Sequence, residues 1–491
     1  MSSIPLLLIG SAFDGPLEEP TLITDYSEAH ELFGAYRYEA FTLTPSSTGI
    51  TLMVTPWNNS IDVLYATNTG THEPYYLHNL TLTGTTIAFN KVGEHKNIIV
   101  RFLREAGPTN LTRGLAEAQT ADPETIYLMR VGGTKASTTL GTGSSYVSVE
   151  SRYGGTTYNS VTFTATGGFL KVTQNGLYPT RWYSDWPLTA AELTKEINTD
   201  YAKGYGMLKA TAVVGSGTIE GISSIHLTGG LNGTFESSAV TSLLTRIDLS
   251  RIRIVSLLGL DYEDISGSVN TALFEDMSIP TMFVQNMKSK ESSASSAAYA
   301  TSLLPKTPKL YFLSLVAASG WFTPYNGISY WNGAAAPYAT LLAKEPITTS
   351  WKKIDVPDFT PVYSATSIDE LVNAGFIFLN RTISKGVTVY RGTTSNSKWN
   401  STCFIAYQTV CSRLYDALSN YIGVTNYSKT EVNSNVTNAL QNIPSAKDVN
   451  YVIEFLPTSI SILVKLQVIG EIQTMSFKIG VSTNAALPQS N

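Results

Sequence analysis

The pattern of hydrophobic and polar positions changes period within the first 36 residues. A continuous apolar run at residues 4–9 predicts a buried strand, and a second short run at residues 22–23 follows a Gly15-Pro16 turn. Apolar residues then recur at helical spacing after Asp25, which can act as an N-cap, and Gly34 stands where such a helix would end. The opening segment therefore predicts strand, turn, strand and short helix.

The rest of the chain shows two kinds of pattern. Residues 37–100 and 140–224 alternate apolar and polar residues between turn-forming ones, which predicts short strands. Residues 101–139 and 225–491 combine helical spacing with continuous apolar runs, which is typical of an α/β layer. The predicted fold class is an α/β core, with a mixed sheet covered by helices, that carries two inserted β-rich domains. Residues 1–36, 101–139 and 225–491 form the core, and residues 37–100 and 140–224 form the insertions.

Four local predictions follow from the same patterns. Residues 146–164 are expected to form two strands joined by a glycine turn. Ser367 is expected to cap a helix that Gly375 ends, and residues 401–421 are expected to form a longer helix. Residues 425–445 are expected to form a loop.

Five segments resemble, in the same order, segments of the tail sheath proteins of contractile bacteriophages. They are residues 8–34 (LIGSAFDGPLEEPTLITDYSEAHELFG), 146–164, 227–233 (LTGGLNG), 366–377 (TSIDELVNAGFI), and the helix 401–421 with the apolar runs that follow it. The resemblance covers most of the chain, and it implies a structural, polymerising protein rather than an enzyme. It also implies that the inserted domains, residues 37–100 and 140–224, lie toward the outside of the assembly.

In this family the subunits form a helical sheath of stacked rings around a tail tube, and contraction of the sheath drives the tube through the host envelope. The resemblance implies that the partners are further copies of the chain, the tail tube protein, and the baseplate and tail terminator proteins. It implies a location in the virion tail after assembly in the host cytoplasm. Contraction is a rearrangement between two packings of subunits and needs no nucleotide.

The last alternating segment, residues 471–481, is the candidate contact between subunits. A terminal strand can add to the exposed sheet edge of a neighbour because backbone hydrogen bonds need no particular partner sequence. The expected inter-subunit strand contains Ile472, Thr474, Met475, Phe477, Ile479 and Val481. A strand that stays in its own domain is the alternative. Because only three residues precede the first strand, the N-terminal arm usual in the family is expected to be missing, and the C-terminal strand or the loop 425–445 to compensate.

Composition changes the picture in one respect. Charged residues make up 14% of the chain, compared with roughly 25% in typical soluble proteins, and there are 27 tyrosines. Protein interfaces are poor in charge and rich in aromatic residues, so this composition favours a surface that other chains cover. A hydrated surface rich in Thr, Ser and Asn is the alternative. The net charge of −5 argues against direct binding of nucleic acid, and no apolar stretch reaches the ~18 residues that span a bilayer.

Motifs of catalysis, cofactor binding and metal binding are absent from the sequence. It contains no Gly-Lys dipeptide of a phosphate loop, no His-Glu-x-x-His zinc pattern and no Gly-x-Ser-x-Gly nucleophile elbow. We therefore expect no catalytic residue, cofactor or metal. Two other classes stay open: a β-rich virion adhesin that binds host glycan, which the Tyr and Trp content suggests, and a hydrolase without a recognisable motif.

The two cysteines, Cys403 and Cys411, lie in the predicted helix 401–421. Eight helical residues separate them by ~12 Å along the axis, which is too far for a disulfide between them. They extend an apolar stripe, so we expect two small buried side chains; a disulfide between neighbouring subunits is the alternative.

Overall fold

A computed structural model describes most of the chain. The described residues are 4–57, 60–119, 122–173, 180–204, 206–268, 281–287, 302, 310, 312–317, 319–325, 328–344, 353–354, 365–382, 386–389, 392–396, 400–424, 426–443, 446–456, 459–468 and 474–482.

The chain divides into two compact units. The first comprises Met1–Leu8, Ala116–Tyr127 and Glu236–Asn491, and the second comprises Ile9–Leu115 and Leu128–Phe235. The mixed α/β, multidomain character predicted from the sequence is confirmed. The covering of the main sheet by helices and the boundaries of one core with two insertions stay predictions.

The first unit contains a run of parallel strands. In spatial order they are Ile254–Leu257, Met282–Asn286, Leu313–Val316 and Phe376–Ile377, and strand Leu6–Gly10 lies next to Ile254–Leu257 in the same sheet. Every residue in these strands is buried, which explains why they are continuous apolar runs rather than alternating ones. Helix Ala335–Lys344 packs against Met282–Asn286, and the amide of Ala335 donates to Asn286 Oδ1 at 2.9 Å.

Three smaller sheets and the remaining helices complete the described part of the first unit. The sheets are Ser319–Tyr325 with Ile328–Gly333; Lys353–Ile354, Gly386–Val389 and Leu379–Thr382; and Ala446–Phe455, Ser459–Val468 and Thr474–Ser482. The helices are Ser237–Leu244, Tyr262–Ile265, Ala365–Ala374, Ser401–Leu418 and Lys429–Leu440, with a 3-10 turn at Ser419–Tyr421. No helix in the described residues is both long enough and apolar enough to cross a membrane.

The second unit is mainly β and has two hydrophobic cores. One core lies among the strands Tyr36–Leu43, Lys96–Leu103, Val63–Asn68, Pro74–Tyr75, Gly49–Thr51, Thr86–Ala88 and Thr81–Thr83. The other lies among Lys135–Leu140, Tyr146–Gly154, Leu208–Val214, Arg181–Tyr183, Phe169–Thr173, Thr162–Thr166 and Ile225–His226, together with helix Ala190–Ala202. The remaining strands and α-helices are the strands Thr21–Ile23 and Ile126–Arg130 and the helices Tyr26–Leu32 and Leu111–Gln119.

The predicted opening elements are confirmed. Asp25 caps helix Tyr26–Leu32 by accepting from the Glu28 amide at 2.9 Å, and Gly34 follows the helix with φ +70°. Gly375, with φ +101°, likewise ends helix Ala365–Ala374. The capping role of Ser367 is wrong, because the helix begins at Ala365 and Ser367 lies inside it.

The two strands predicted over residues 146–164 are confirmed as Tyr146–Gly154 and Thr162–Thr166. A 3-10 turn, Thr156–Ser160, follows the glycines between them and contains the completely buried Tyr158, and the two strands belong to different sheets. Another local prediction is contradicted by the structure. The segment predicted as a loop contains helix Lys429–Leu440, whose N-cap Ser428 accepts from the Glu431 amide.

Candidate assembly sheet at the C-terminal end

The C-terminal sheet consists of the strands Ala446–Phe455, Ser459–Val468 and Thr474–Ser482. All neighbours are antiparallel, and the middle strand is Ser459–Val468. The middle and last strands pair without interruption, from Ser459 opposite Ser482 to Gln467 opposite Thr474.

One face of the middle strand is completely buried. Its residues Ile460, Ile462, Val464 and Leu466 are 0% exposed. They share a hydrophobic cluster with Val410 and Leu414 of helix Ser401–Leu418 and with Val432 and Val436 of helix Lys429–Leu440. The period of two along the strand therefore fixes which face of the sheet the two helices cover.

Aromatic residues attach the first strand to helix Lys429–Leu440 and to Tyr427 just before it. Tyr451 Oη and Thr437 Oγ1 lie 2.6 Å apart in a hydrogen bond. The Phe455 ring stacks on Tyr427 with centroids 6.2 Å apart, and Lys429 Nζ lies 5.2 Å from the centroid of the Phe455 ring. These contacts hold the second half of the first strand in place.

The opposite face of the sheet exposes an apolar pair. Val452 is 65% exposed and Leu463 is 36% exposed, and the register sets them directly opposite each other. Sequence reasoning did not identify this pair, although the alternation of the two strands contains the signal.

Both outer strands of the sheet have an unoccupied edge. Within the described residues, no strand pairs with the outer side of Ala446–Phe455 or of Thr474–Ser482. Such edges present free N–H and C=O groups to which another strand can add. The edge strand Leu208–Val214 of the second unit is different: Asn198 Oδ1 accepts from the Ala210 amide at 2.9 Å, and Asn198 Nδ2 donates to the Ala210 carbonyl at 3.4 Å.

The residues of the predicted inter-subunit strand fall mainly in the last strand. Thr474, Met475, Phe477, Ile479 and Val481 belong to Thr474–Ser482, whereas Ile472 lies outside the described residues. The register sets Met475, Phe477, Ile479 and Val481 opposite the buried positions of the middle strand. The strand thus pairs along one side within its own chain, as the alternative stated above requires, and its role between subunits stays a prediction.

The two cysteines are small buried residues, as predicted from the stripe. Cys403 is completely buried and Cys411 almost so, and neither is in a disulfide. Burial raises the pKa of the Cys411 thiol to about 11, partly offset by a hydrogen bond with Tyr407. Among the described residues, no group of three or more His, Cys, Asp or Glu side chains could hold a metal ion.

Two solved structures share this fold over nearly the whole chain. The sheath tail protein of Listeria innocua is 13% identical, with 98% of this chain and 96% of that chain covered and a TM-score of 0.58. The sheath tail protein of Desulfitobacterium hafniense is 12% identical, with 98% and 97% covered and a TM-score of 0.55. No protein-family model and no curated protein sequence matches the chain. The resemblance indicated by the sequence motifs is confirmed at the level of the fold: the chain has the fold of sheath tail proteins.

Proposed function

We propose that the chain is the structural subunit of a contractile tail sheath and that it polymerises through its C-terminal sheet. The observation that carries this proposal is the likeness in fold to two sheath tail proteins over 98% of the chain. The order of the five sequence motifs supports it independently. The proposed role is structural and not catalytic.

The proposed contact between subunits is an exchange of the last strand. Thr474–Ser482 pairs with the middle strand through backbone hydrogen bonds along its whole length, and an identical strand from an adjacent copy can make the same pairing in the same register. Exchange leaves the number of backbone hydrogen bonds unchanged, so it carries little enthalpic penalty. The free outer edges of the sheet give a neighbour a second place to add.

The proposed polymer is a helical tube of stacked rings around a tail tube, bounded by baseplate and tail terminator proteins, in the tail of a virion assembled in the host cytoplasm. Contraction would be a change between two packings of rigid subunits, in which the exchanged strands keep neighbours connected. The tube would then be driven through the host envelope without nucleotide hydrolysis.

Negative-stain microscopy of the purified chain over a range of concentrations tests the proposal. We expect tubes from the full chain and from a variant lacking residues 483–491, which keeps the last strand. A variant lacking residues 471–491 should remain monomeric and keep the far-UV circular dichroism spectrum of a folded chain, reduced by the signal of one strand. A full chain that stays monomeric at every concentration contradicts the sheath function, and tubes formed by the longer deletion contradict only the role of the strand.

One observation favours the adhesin class. Phe169 is 43% exposed and Trp182 is 53% exposed, and their rings meet edge to face with centroids 6.1 Å apart. Lys171 Nζ lies 5.2 Å from the centroid of the Trp182 ring, so an aromatic surface stands beside a hydrogen-bond donor. Binding of host glycan that Trp182→Ala abolishes, in a chain that does not self-assemble, would support this second function.

A further inference from the structure

A buried polar cluster joins three segments of the second unit. Arg130 ends strand Ile126–Arg130, and its guanidinium donates to the carbonyl oxygens of Gly154 at 2.6 Å, Asn232 at 3.0 Å and Gly15 at 3.3 Å. Arg130 is 0% exposed. One side chain therefore connects the turn after the first strand, the end of strand Tyr146–Gly154 and the connector around Asn232.

The connected segments coincide with three of the sequence motifs described above. Gly15 belongs to residues 8–34, Gly154 to residues 146–164, and Asn232 to residues 227–233. Their glycines allow the backbones to cross closely: a Cβ on Gly155 would lie 2.6 Å from the Phe13 carbonyl oxygen, and one on Gly133 would lie 2.8 Å from the Asn232 carbonyl oxygen. The crossing therefore leaves no space for an additional carbon atom.

Asp14 is the acidic member of this cluster. Tyr158 Oη donates to its two carboxylate oxygens at 3.0 and 3.3 Å, and the Gly15 amide donates to Oδ1 at 2.8 Å. No salt bridge joins Asp14 to a cation among the described residues. Burial raises the pKa of Asp14 from 3.8 to about 6, although the two hydrogen bonds and the charges of Arg130 and Arg104 oppose this shift.

Four other ionisable groups face Asp14. They are Tyr158, Arg130, Arg104 and Tyr153. Burial lowers the pKa of Arg104 to about 10 and lowers that of Arg130, whose guanidinium stays protonated in this range, and burial raises the pKa of Tyr153. Asp14 is thus the group of the cluster that titrates near neutral pH.

We propose that the Asp14 cluster is a proton-operated lock: protonation of Asp14 stabilises the folded crossing of the three segments, and ionisation of Asp14 destabilises it. An ionised carboxylate at this position is removed from water and accepts hydrogen bonds from two neutral donors, the Gly15 amide and the Tyr158 hydroxyl, and no cation among the described residues is in contact with it. Mild acidification removes this unfavourable charge while Arg130 keeps its three carbonyl contacts. This inference concerns the isolated subunit and does not depend on the proposed assembly.

The direction of the effect follows from the raised pKa. A carboxyl group whose pKa is higher in the folded state contributes stability that is complete below pH 3.8 and is lost as the pH rises through about 6. Each pKa unit corresponds to a factor of ten in the folding equilibrium constant, so the loss between pH 4 and pH 8 is about 100-fold.

Urea unfolding of the full chain and of Asp14→Asn, from pH 4 to pH 8, tests the lock. The Asn variant retains an acceptor oxygen but cannot ionise. We expect the ratio of the unfolding constants, wild type over Asp14→Asn, to rise by about 100-fold across this range, with a midpoint near pH 6. A ratio that stays constant within about twofold overturns the proposal.

Two further variants keep the test decisive. Asp185→Asn makes the same chemical change at an exposed position of the second unit and should follow the wild-type profile; a flattened profile there assigns the effect elsewhere and overturns the proposal. Tyr158→Phe removes the hydroxyl that favours the ionised form of Asp14, so it should move the midpoint to higher pH. This second measurement stands even where Asp14→Asn does not fold, and an unmoved midpoint contradicts the role of Asp14.

Discussion

The two faces of the C-terminal sheet can be tested by the same substitution, valine to alanine, at one valine on each face. Val464 is 0% exposed and shares a cluster with helices Ser401–Leu418 and Lys429–Leu440, whereas Val452 on the neighbouring strand is 65% exposed. We expect Val464→Ala to destabilise the chain much more than Val452→Ala, because only the first variant creates a cavity.

The magnitudes follow from burial. Burying a valine side chain contributes about 1.5 to 3 kcal/mol, and the partly filled cavity adds to this loss, so Val464→Ala should lower the free energy of unfolding by about 2 to 3 kcal/mol. Val452 buries only about a third of its surface, so Val452→Ala should lower it by about 0.5 to 1 kcal/mol.

Equilibrium urea unfolding followed by far-UV circular dichroism measures both variants. With a slope of about 2 kcal/mol per molar urea, the midpoint should shift by about 1 M for Val464→Ala and by less than about 0.5 M for Val452→Ala. Equal shifts, or a larger shift for Val452→Ala, would refute the assignment of the helix-covered face.

Three other outcomes are expected. Gly233→Ala should destabilise the chain by about 3 kcal/mol or more and Gly229→Ala by only about 1 kcal/mol, and urea unfolding midpoints measure both. Both glycines have φ near +75°. A Cβ on Gly233 would overlap the Gly133 amide, whereas a Cβ on Gly229 would meet no atom within 4 Å. Cys411 should react with Ellman's reagent at pH 8 only after unfolding, because burial raises its pKa to about 11, and rapid labelling of the folded chain would contradict its burial. Burial lowers the pKa of His30 from 6.5 to about 4, so the contribution of this side chain to stability is complete above pH 6.5 and is lost as the pH falls through 4. His30→Leu should remove about 3 kcal/mol of this acid dependence. Acid unfolding of the variant that matches the wild type would contradict the role of His30.

Local signals in the sequence predicted the elements whose cause is local. The Asp25 cap, the Gly34 and Gly375 stops and the continuous apolar strands depend on a few neighbouring residues, and the structure has them at the expected places. The connection between strands Tyr146–Gly154 and Thr162–Thr166 depends instead on a distant contact. The turn at Thr156–Ser160 forms because Tyr158 is buried and its hydroxyl reaches Asp14, 144 positions earlier in the chain.

The candidate site was predicted in part. The alternation of apolar and polar residues predicts the last strand, and the structure has a strand at Thr474–Ser482. Its pairing with the middle strand could not be derived, because backbone hydrogen bonds do not depend on side-chain identity. Helix Lys429–Leu440 was missed since its polar residues obscure an apolar stripe of Val432, Val436 and Leu440, which are buried at intervals of four.

The side chain of Asn198 protects the edge strand Leu208–Val214 from pairing with another molecule. By occupying both backbone groups of Ala210, it denies a foreign strand two of the bonds that would start annealing along Leu208–Val214. Another molecule therefore finds two fewer free backbone groups along this edge. Asn198→Ala frees both groups, so we expect it to increase aggregation of the purified chain, which light scattering measures.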